Sequence, residues 1–266
     1  MNNIKEAQLL RENREALVQS LNDLGIAADE NTPMSELIGL MKWSAGLRDL
    51  RLACLNKSTG AYSDYSLDEF NALSASGKAQ LVKLGLRIRA ERLDFIISKD
   101  NIYRSNGNTS MPWASSYVDV RNLTNYGAGS TGHLLDVDGE ANTDAILAFG
   151  ETANVTFEAA QQARAYKAST VADGGYDDPT KWSLPAIGQL WLLYKYKKEI
   201  NAALTSFFGT SQLITDEWYW SSTEYDASSA WFVSMSGGYV YHYYKYGAGR
   251  VRAVAPVPLV SVSAAI

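Results

Sequence analysis

Alternation of apolar and polar residues predicts a β-hairpin in the last fifth of the chain. Trp231, Val233 and Met235 are apolar, whereas the intervening residues are Phe, Ser and Ser. This period of two is typical of a β-strand with one buried face. Gly237-Gly238 provides a turn signal, and the alternation resumes at residues 239–241. We therefore expect two antiparallel strands here.

Tyrosine is concentrated in the same stretch. Seven of the 16 tyrosines lie between Tyr219 and Tyr246, together with Ser, Gly, Ala and Asp. Tyrosine offers a large amphipathic contact area at little cost in rotamer entropy, while Ser and Gly adapt, as in antibody contact loops. The composition thus favours a contact surface. The alternative is a strand pair whose tyrosines cover more core.

The remaining periodicity predicts an α+β fold. Residues 3–24 and 32–41 read as two helices. The capping box Ser66-x-x-Glu69 predicts a short helix through about Leu73, and Lys78–Leu84 reads as another. Alternation over residues 86–97 predicts strands, and residues 104–132 should be mostly loop. Further helices are expected at residues 142–149, at 156–167 and after the 182–191 motif up to about 204. Helices between terminal strands indicate one sheet joined from both ends, with Pro256–Ile266 as an edge strand or intersubunit contact.

Composition excludes several functional classes. A net charge of −5 and a pI near 5.2 argue against a nucleic-acid partner. Cys54 is the single cysteine, and His133 and His242 are the only histidines, which leaves little material for metal binding or acid–base catalysis. The N-terminus has no apolar signal-peptide core and no run reaches membrane-spanning length. We expect a soluble protein without membrane insertion.

Candidate chemical motifs are weak. Gly127-x-Gly129-x-x-Gly132 matches a dinucleotide fingerprint only as a string, since no strand precedes it. Side chains with oxygen atoms occur at every second position from Asp136 to Asp144, so a structural Ca²⁺ site is one interpretation of this segment. It is not an EF-hand loop, which would need glycine and glutamate at the positions of Ala141 and Leu147. The alternative is a turn with helix-capping acids. We expect no catalytic residues, no cofactor and no metal ligands.

The last third of the chain resembles a known family. Five segments resemble variable proteins of diversity-generating retroelements from gut bacteria and their phages. In chain order they are LPAIGQLWLLYK, INAAL, YWSSTEY, the pattern AW.V, and VRAV. The resemblance runs from about Asp136 to Val254 and implies a C-type-lectin-like fold related to formylglycine-generating enzymes. The N-terminal pattern LNDLGIAADENTPMSELIGLM more loosely resembles leader segments of phage tail-fibre proteins.

The resemblance also implies which positions vary. In that family a reverse transcriptase replaces template adenines, so asparagine codons become Tyr, Ser, Asp, Ala, Gly, His or Phe. Residues of unreachable types, Glu224, Trp231, Met235 and Lys245, fall where the family pattern is fixed. Reachable types also occur at Ala227, Ser229 and 247–249. The predicted ligand-binding residues are Tyr225, Asp226, Ser228, Phe232, Ser234, Ser236, Tyr239, Tyr241, His242, Tyr243, Tyr244 and Tyr246.

These interpretations define an expected organisation. Residues 1–46 form a helical hairpin for attachment or oligomerisation, 47–84 a helical lead-in, 85–258 the C-type-lectin-like binding domain, and 259–266 a tail. Leucines seven apart at Leu10, Leu17 and Leu24 indicate a homotrimer only weakly. The expected role is a non-enzymatic adhesin at a phage or prophage tail tip, or alternatively on a bacterial cell surface. Its partners would be a host-cell surface protein or glycan and other tail or fibre proteins.

Two other functions stay open at this point. An enzyme of the same broad fold acting on a peptide or glycan would use polar residues outside the tyrosines, such as Asp136 and Asp138. A structural fibre subunit would instead use the tyrosines as an assembly interface.

Overall fold

The computed structural model describes residues 46–258 except 92, 105, 128–131, 170–175 and 210–213, together with four isolated positions before residue 46. The predicted N-terminal hairpin, the trimer contact and the tail 259–266 therefore lie outside the described residues. The chain divides into two compact units, 1–48 with 89–93 and 49–88 with 94–266. In the first, the Glu91 amide donates to the Gly46 carbonyl at 3.1 Å. The site described below belongs to the second.

A five-stranded sheet joins early and late parts of the chain, as the sequence predicts. Its strands are β1 (Leu47–Asn56), β2 (Tyr62–Tyr65), β3 (Leu81–Ala90), β4 (Leu93–Ser98) and β10 (Val254–Pro256). They lie in the order β10-β4-β3-β1-β2. The short strands β5 (Met111–Pro112) and β9 (Ala248–Gly249) form a separate pair. β10 pairs antiparallel with β4, with Val254 opposite Ile97. The predicted strands at 86–97 are confirmed, and β10 is the edge strand at the start of the predicted extended tail.

The helical description of residues 47–84 is wrong for most of that segment. It contains β1, β2, α1 (Leu67–Ala72) and α2 (Ala75–Ala79), and β3 begins at Leu81 inside the predicted helix Lys78–Leu84. β1 is an interior strand, and residues 52–55 are all buried. A strand covered on both faces is a continuous apolar run, which periodicity does not distinguish from a buried helix.

The helix start predicted by the capping box is confirmed. The Glu69 amide donates to Ser66 Oγ at 3.2 Å, and the Ser66 amide donates to Glu69 Oε2 at 2.7 Å. This pair satisfies two amides that have no partner within the first turn of α1.

Four longer helices follow: α3 (Gly139–Ala153), α4 (Glu158–Ala165), α5 (Ile187–Lys195) and α6 (Lys197–Phe208). The first two confirm the predicted helices. The single long helix predicted up to about Leu204 is instead two helices, α5 and α6. The break lies at Tyr196, where φ is −111° and ψ is 22°. No glycine or proline marks this break in the sequence. Among the described helices, none is both long and apolar enough to cross a membrane.

The core lies between the five-stranded sheet and these helices and is rich in tryptophan. Trp113, Trp182 and Trp220 are at most 1% exposed. Trp113 packs edge-on against Phe157, with ring centroids 5.4 Å apart. The Trp113 indole N–H donates to the Ser221 carbonyl at 2.8 Å. This bond holds the core against the strand Trp218–Glu224, which belongs to a second sheet described below.

Candidate functional site

A three-stranded antiparallel sheet contains the tyrosine-rich stretch. It consists of β6 (Trp218–Glu224), β7 (Ser229–Ser234) and β8 (Val240–Tyr244), in that order. β7 and β8 form the hairpin predicted from the alternation, with Phe232 opposite Tyr241. The turn needs glycine, because Gly238 has a φ of +71° and a Cβ there would lie 2.2 Å from the Tyr194 ring.

Exposure changes sharply across this sheet. All residues of β7 are buried, and β6 is buried from Tyr219 onward. Helix α5 contacts both strands, and α3 contacts β6. β8 is instead exposed at Tyr241, Tyr243 and Tyr244 and half-buried at Val240 and His242. We call Tyr239, Tyr241, Tyr243, Tyr244 and Tyr246 the tyrosine face; their side chains are between 45% and 71% exposed.

Ring stacking connects the tyrosine face to the buried strands. The ring of Tyr225 stacks on His242, with centroids 3.7 Å apart and planes 5° from parallel. Tyr225 also meets the Trp231 ring edge-on at 5.2 Å. The indole N–H of Trp231 donates to the Tyr126 carbonyl at 3.1 Å. Tyr225 and His242 are therefore half-buried residues with constrained orientations.

Two of the predicted ligand-binding residues are not exposed. Phe232 is 6% and Ser234 is 2% exposed, because β7 is the central strand. Phe232 stacks on Trp218 at 4.3 Å and on Tyr243 at 5.6 Å. The expectation of one buried face on β7 is thus wrong, and Phe232 supports the tyrosine face from beneath. Of the other predicted residues outside that face, Ser236 is exposed, whereas Tyr225, Asp226, Ser228 and His242 are half-buried.

A buried ion pair anchors the loop that follows β8. Lys245 and Glu224 both have fully buried side chains and form a salt bridge. Lys245 Nζ also donates to the carbonyls of Val118 at 2.6 Å and Ala227 at 3.2 Å. Glu224 accepts from the Val120 amide. Burial raises the pKa of Glu224 to about 7 although the Lys245 charge lowers it. One side chain thus joins three loops around the site.

Arg252 holds the end of the tyrosine-rich stretch by hydrogen bonds. Its guanidinium is fully buried and donates to the Ser98 carbonyl at 2.7 and 3.0 Å and to the Lys99 carbonyl at 3.0 Å. Arg250 lies 3.5 Å from the Glu217 carboxylate at the surface. The two arginines therefore tie this segment to β4 and to the start of β6.

Gly249 is closely packed, although glycine is a type that adenine replacement can produce. It is buried, and a Cβ would lie 2.7 Å from Trp220 Nε1. Trp220 cannot move away freely, because it is fully buried and donates to the Met111 carbonyl at 2.9 Å. We expect Gly249→Ala to lower the free energy of unfolding by about 1–3 kcal/mol in chemical denaturation. Gly132→Ala is the matched control, since its nearest neighbours lie at 4.0 Å, and equal losses in both variants would contradict this assignment.

Sequence reasoning missed three aromatic contributors to the site. Tyr117 is 47% exposed and packs edge-on against Tyr246 at 4.5 Å and near Tyr244 at 6.1 Å. His133 stacks on Trp231 at 4.2 Å, and Trp218 is 37% exposed. Tyr117 and His133 lie in loops about 100 residues before the stretch, so no local pattern could have indicated them.

The acids from Asp136 to Asp144 make structural contacts. Asp138 caps α3 by accepting from the Ala141 amide at 3.0 Å, and Asp144 pairs with Arg164 and Lys181. Asp136 accepts from Thr223 Oγ1 at 2.7 Å, and burial raises its pKa. Within the described part of the chain, no group of three or more His, Cys, Asp or Glu side chains could hold a metal ion. Most of the Gly127–Gly132 string lies outside the described residues.

These features define an exposed aromatic surface on an α+β scaffold, and comparison with known proteins gives its family. The family model of the Lcl C-terminal domain matches residues 106–255, so the chain belongs to that family. This match supports the resemblance to variable proteins of diversity-generating retroelements and the C-type-lectin-like α+β fold. It indicates a ligand-binding variable protein, in a family of binding-type domains not known to be catalytic.

Other comparisons add little. No curated protein sequence matches the chain significantly. Among solved structures, the chain is similar to a fimbrial protein from Bacteroides ovatus ATCC 8483, with a TM-score of 0.43 and 16% sequence identity. The alignment covers 62% of this chain and 36% of that one, so this chain corresponds to about a third of the fimbrial protein's length.

Proposed function

We propose that this chain is a non-enzymatic receptor-binding protein whose ligand contacts the tyrosine face. The observation that carries the proposal is the exposure of five tyrosines on β8 and its flanks, above two buried strands. Large exposed aromatic patches mark interaction sites, and tyrosines held on a rigid support lose little entropy on binding. Tyr225, Asp226, Ser228, Ser236 and His242 border this face and complete the proposed contact set.

The division between fixed and exposed positions supports diversification of the face. Four residues of types that adenine replacement in asparagine codons does not produce are all at most 8% exposed. They are Glu224, Trp231, Met235 and Lys245. The tyrosine face consists of a type that such replacement does produce. A protein that varies its contacts while keeping its fold requires this arrangement.

We propose further that the ligand is a host-cell surface protein or glycan and that the chain acts at the tip of a phage or prophage tail. The resemblance of the N-terminal segment to tail-fibre leaders favours this location over the bacterial cell surface. Several copies on one tail would raise avidity without new contacts.

An enzymatic role has less support from the geometry. The carboxyl of Glu224 has a pKa shifted toward neutrality, which is a feature of many catalytic groups. Its side chain is completely buried, however, and it already contacts Lys245 and the Val120 amide. The group therefore has no route to a substrate, and burial explains why its pKa is raised.

The test is an array of host glycans and surface proteins, probed with the wild-type chain and the double variant Tyr241→Ser/Tyr244→Ser. We expect the variant to bind its array ligand at least about tenfold more weakly, because interface tyrosines are typical hot spots. Tyr103→Ser is the matched control, since Tyr103 is 49% exposed but lines a different cavity.

Unchanged binding by the double variant, or an equal loss in the Tyr103 control, would contradict the proposal. Sizing chromatography of the same proteins separates binding from assembly. If the double variant dissociates an oligomer without losing a ligand, the tyrosine face is an assembly interface instead.

A further inference from the structure

A small cavity opens between the 226–229 turn and strand β8. Asp226, Ser228 and Ser229 line one side, and residues 241–244 line the other. Its volume is about 350 Å³. Pockets for small ligands span about 300–1,000 Å³, so this cavity has room for one long side chain or one sugar ring.

Among the described residues that line the cavity, Asp226 is the only acidic one, and only one of its two carboxylate oxygens accepts hydrogen bonds. Oδ1 accepts from the Ser228 amide at 2.7 Å, from Ser228 Oγ at 2.8 Å and from the Ser229 amide at 2.8 Å. Within the part of the chain that the structure describes, Oδ2 accepts no hydrogen bond. Desolvation raises the pKa of Asp226, but the hydrogen bonds from Ser228 and Ser229 and the charge of Lys245 together lower it by more. The pKa is therefore below its ordinary value, and the carboxylate is ionised at neutral pH.

The hydroxyl groups beside Asp226 present acceptors to the cavity. Ser228 Oγ gives its proton to Asp226 Oδ1, and Ser229 Oγ lies 3.2 Å from Ser228 Oγ. Because the Ser228 proton is already used, Ser229 is the donor in that second contact. Both protons therefore point along the chain of hydrogen bonds toward Asp226. A ligand on this side of the cavity must supply donors.

The charge of Lys245 acts on Asp226, but the amino group of this lysine is directed elsewhere. Lys245 is completely buried and directs Nζ to Glu224 and to the carbonyls of Val118 and Ala227. Its amino group is thus already bonded to Glu224 and to two carbonyls. The negative charge of Asp226 stays available to a ligand.

The opposite side of the cavity is aromatic. Tyr241, Tyr243 and Tyr244 are between 45% and 58% exposed, and His242 lies between the first two. Faces of tyrosine rings attract cations within about 6 Å. One wall thus offers a carboxylate and lone pairs, and the other offers aromatic rings.

We infer that this cavity binds a cationic side chain, the ammonium of lysine or the guanidinium of arginine, on a protein ligand. Both groups donate hydrogen bonds and accept none, which matches the acceptors around Asp226, and both favour aromatic faces. A neutral sugar hydroxyl can also donate to this wall, but it brings no charge to Asp226 and its own lone pairs find no donor there. The inference rests on the proposed function and specifies the ligand class of the same site as a basic protein surface.

The test is a titration of the full chain, labelled with ¹⁵N, by three small probes. N-acetyl-lysine methylamide and N-acetyl-arginine methylamide carry the cation, and N-acetyl-glutamine methylamide is the neutral control. We expect the cationic probes to shift the amide resonances of 226–229 and 241–244 with millimolar affinity, and the neutral probe to bind at least about tenfold more weakly. Raising NaCl should weaken only the cationic probes.

Asp226→Asn tests the carboxylate itself. The asparagine Oδ1 can accept the same three hydrogen bonds, so the turn is retained, and an unchanged amide spectrum elsewhere checks this. We expect the variant to bind the cationic probes at least tenfold more weakly and without salt dependence. Asp119→Asn, at an exposed carboxylate outside the cavity lining, should stay within about twofold of wild type.

Three results would overturn the inference. The neutral probe could bind as tightly as the cationic probes, or Asp119→Asn could weaken the cationic probes as much as Asp226→Asn does. Methyl glycosides could also bind the same residues more tightly than the cationic probes and independently of Asp226. If array ligands still depend on Tyr241 and Tyr244 in those cases, the proposed function stands without the cation site. If cationic probes bind as expected but the tyrosine double variant keeps its array ligand, the proposed function fails and the cavity assignment stands.

Discussion

Replacing Lys245 with methionine is expected to lower the free energy of unfolding by about 3–5 kcal/mol, because it leaves the Glu224 carboxylate buried without its cation. The substitution also removes the donor to the Val118 and Ala227 carbonyls. Methionine resembles the lysine stem in length, so the loss reflects charge and hydrogen bonding more than a cavity. Equilibrium urea denaturation measures the effect.

The same variant should show a characteristic pH dependence. The pKa of Glu224 is raised by burial to about 7 in the folded chain, above its ordinary value near 4.5. A raised carboxyl pKa means that the folded state binds the proton more tightly. Its contribution to stability is therefore full below the unfolded pKa and is lost as the pH rises through the folded pKa. Without Lys245 the folded pKa rises further, so the deficit relative to wild type should grow as the pH rises above about 7, where the wild-type loss is complete and that of the variant continues.

Lys181→Met is the matched control for this prediction. Lys181 also pairs with carboxylates, those of Glu140 and Asp144, but its side chain is 48% exposed. An exposed pair contributes at most about 1 kcal/mol. Adding Glu224→Gln to Lys245→Met should recover part of the lost stability, because the buried charge is then gone while the Val120 amide keeps an acceptor. If Lys245→Met costs no more than Lys181→Met, the pair does not anchor the loop.

Local signals in the sequence predicted those elements whose residues have one covered face. The alternation around Leu86 and Ile88 and the capping box at Ser66 are confirmed, because pleat periodicity and capping are properties of a few neighbouring residues. β1 was missed because residues 52–55 are buried on both faces, and the break at Tyr196 was missed because no helix-breaking residue marks it. These features depend on what packs against the segment.

The candidate site divides in the same way. The hairpin and the cluster of tyrosines follow from a contiguous stretch, and the exposure of β8 agrees with the prediction. The contribution of Tyr117 and the Lys245 contact to Val118 depend on a loop more than 100 residues earlier. The burial of Phe232 depends on β7 being the middle strand. Strand order is not encoded in the periodicity of any one strand.

Burial also refines which positions can vary without loss of the fold. Four residue positions of reachable type, Ser229, Phe232, Ser234 and Gly249, are buried. Substitutions there would change packing or clash, as the short approach of Gly249 to Trp220 indicates. A repertoire that keeps folding is therefore expected to concentrate its changes at the exposed and half-buried positions, chiefly the tyrosine face.

Phe232→Ala is expected to lower the free energy of unfolding by about 3–5 kcal/mol, which is the usual cost of truncating a buried phenylalanine. Phe232 is 6% exposed, and its ring stacks on Trp218, Trp220 and Tyr243 at centroid distances of 4.3, 5.2 and 5.6 Å. Because Tyr243 belongs to the tyrosine face, loss of this support should also weaken ligand binding. Denaturation and array binding of the same variant measure the two effects.

Tyr241→Ser is the matched control, since Tyr241 lies directly opposite Phe232 in the β7–β8 register but is 56% exposed. We expect its unfolding free energy to stay within about 0.5 kcal/mol of wild type while ligand binding falls. The two variants therefore distinguish a residue that stabilises the fold from one that contacts the ligand, at a single register position. If Tyr241→Ser destabilises the chain as strongly as Phe232→Ala, the tyrosines belong to the core and the contact-surface interpretation fails.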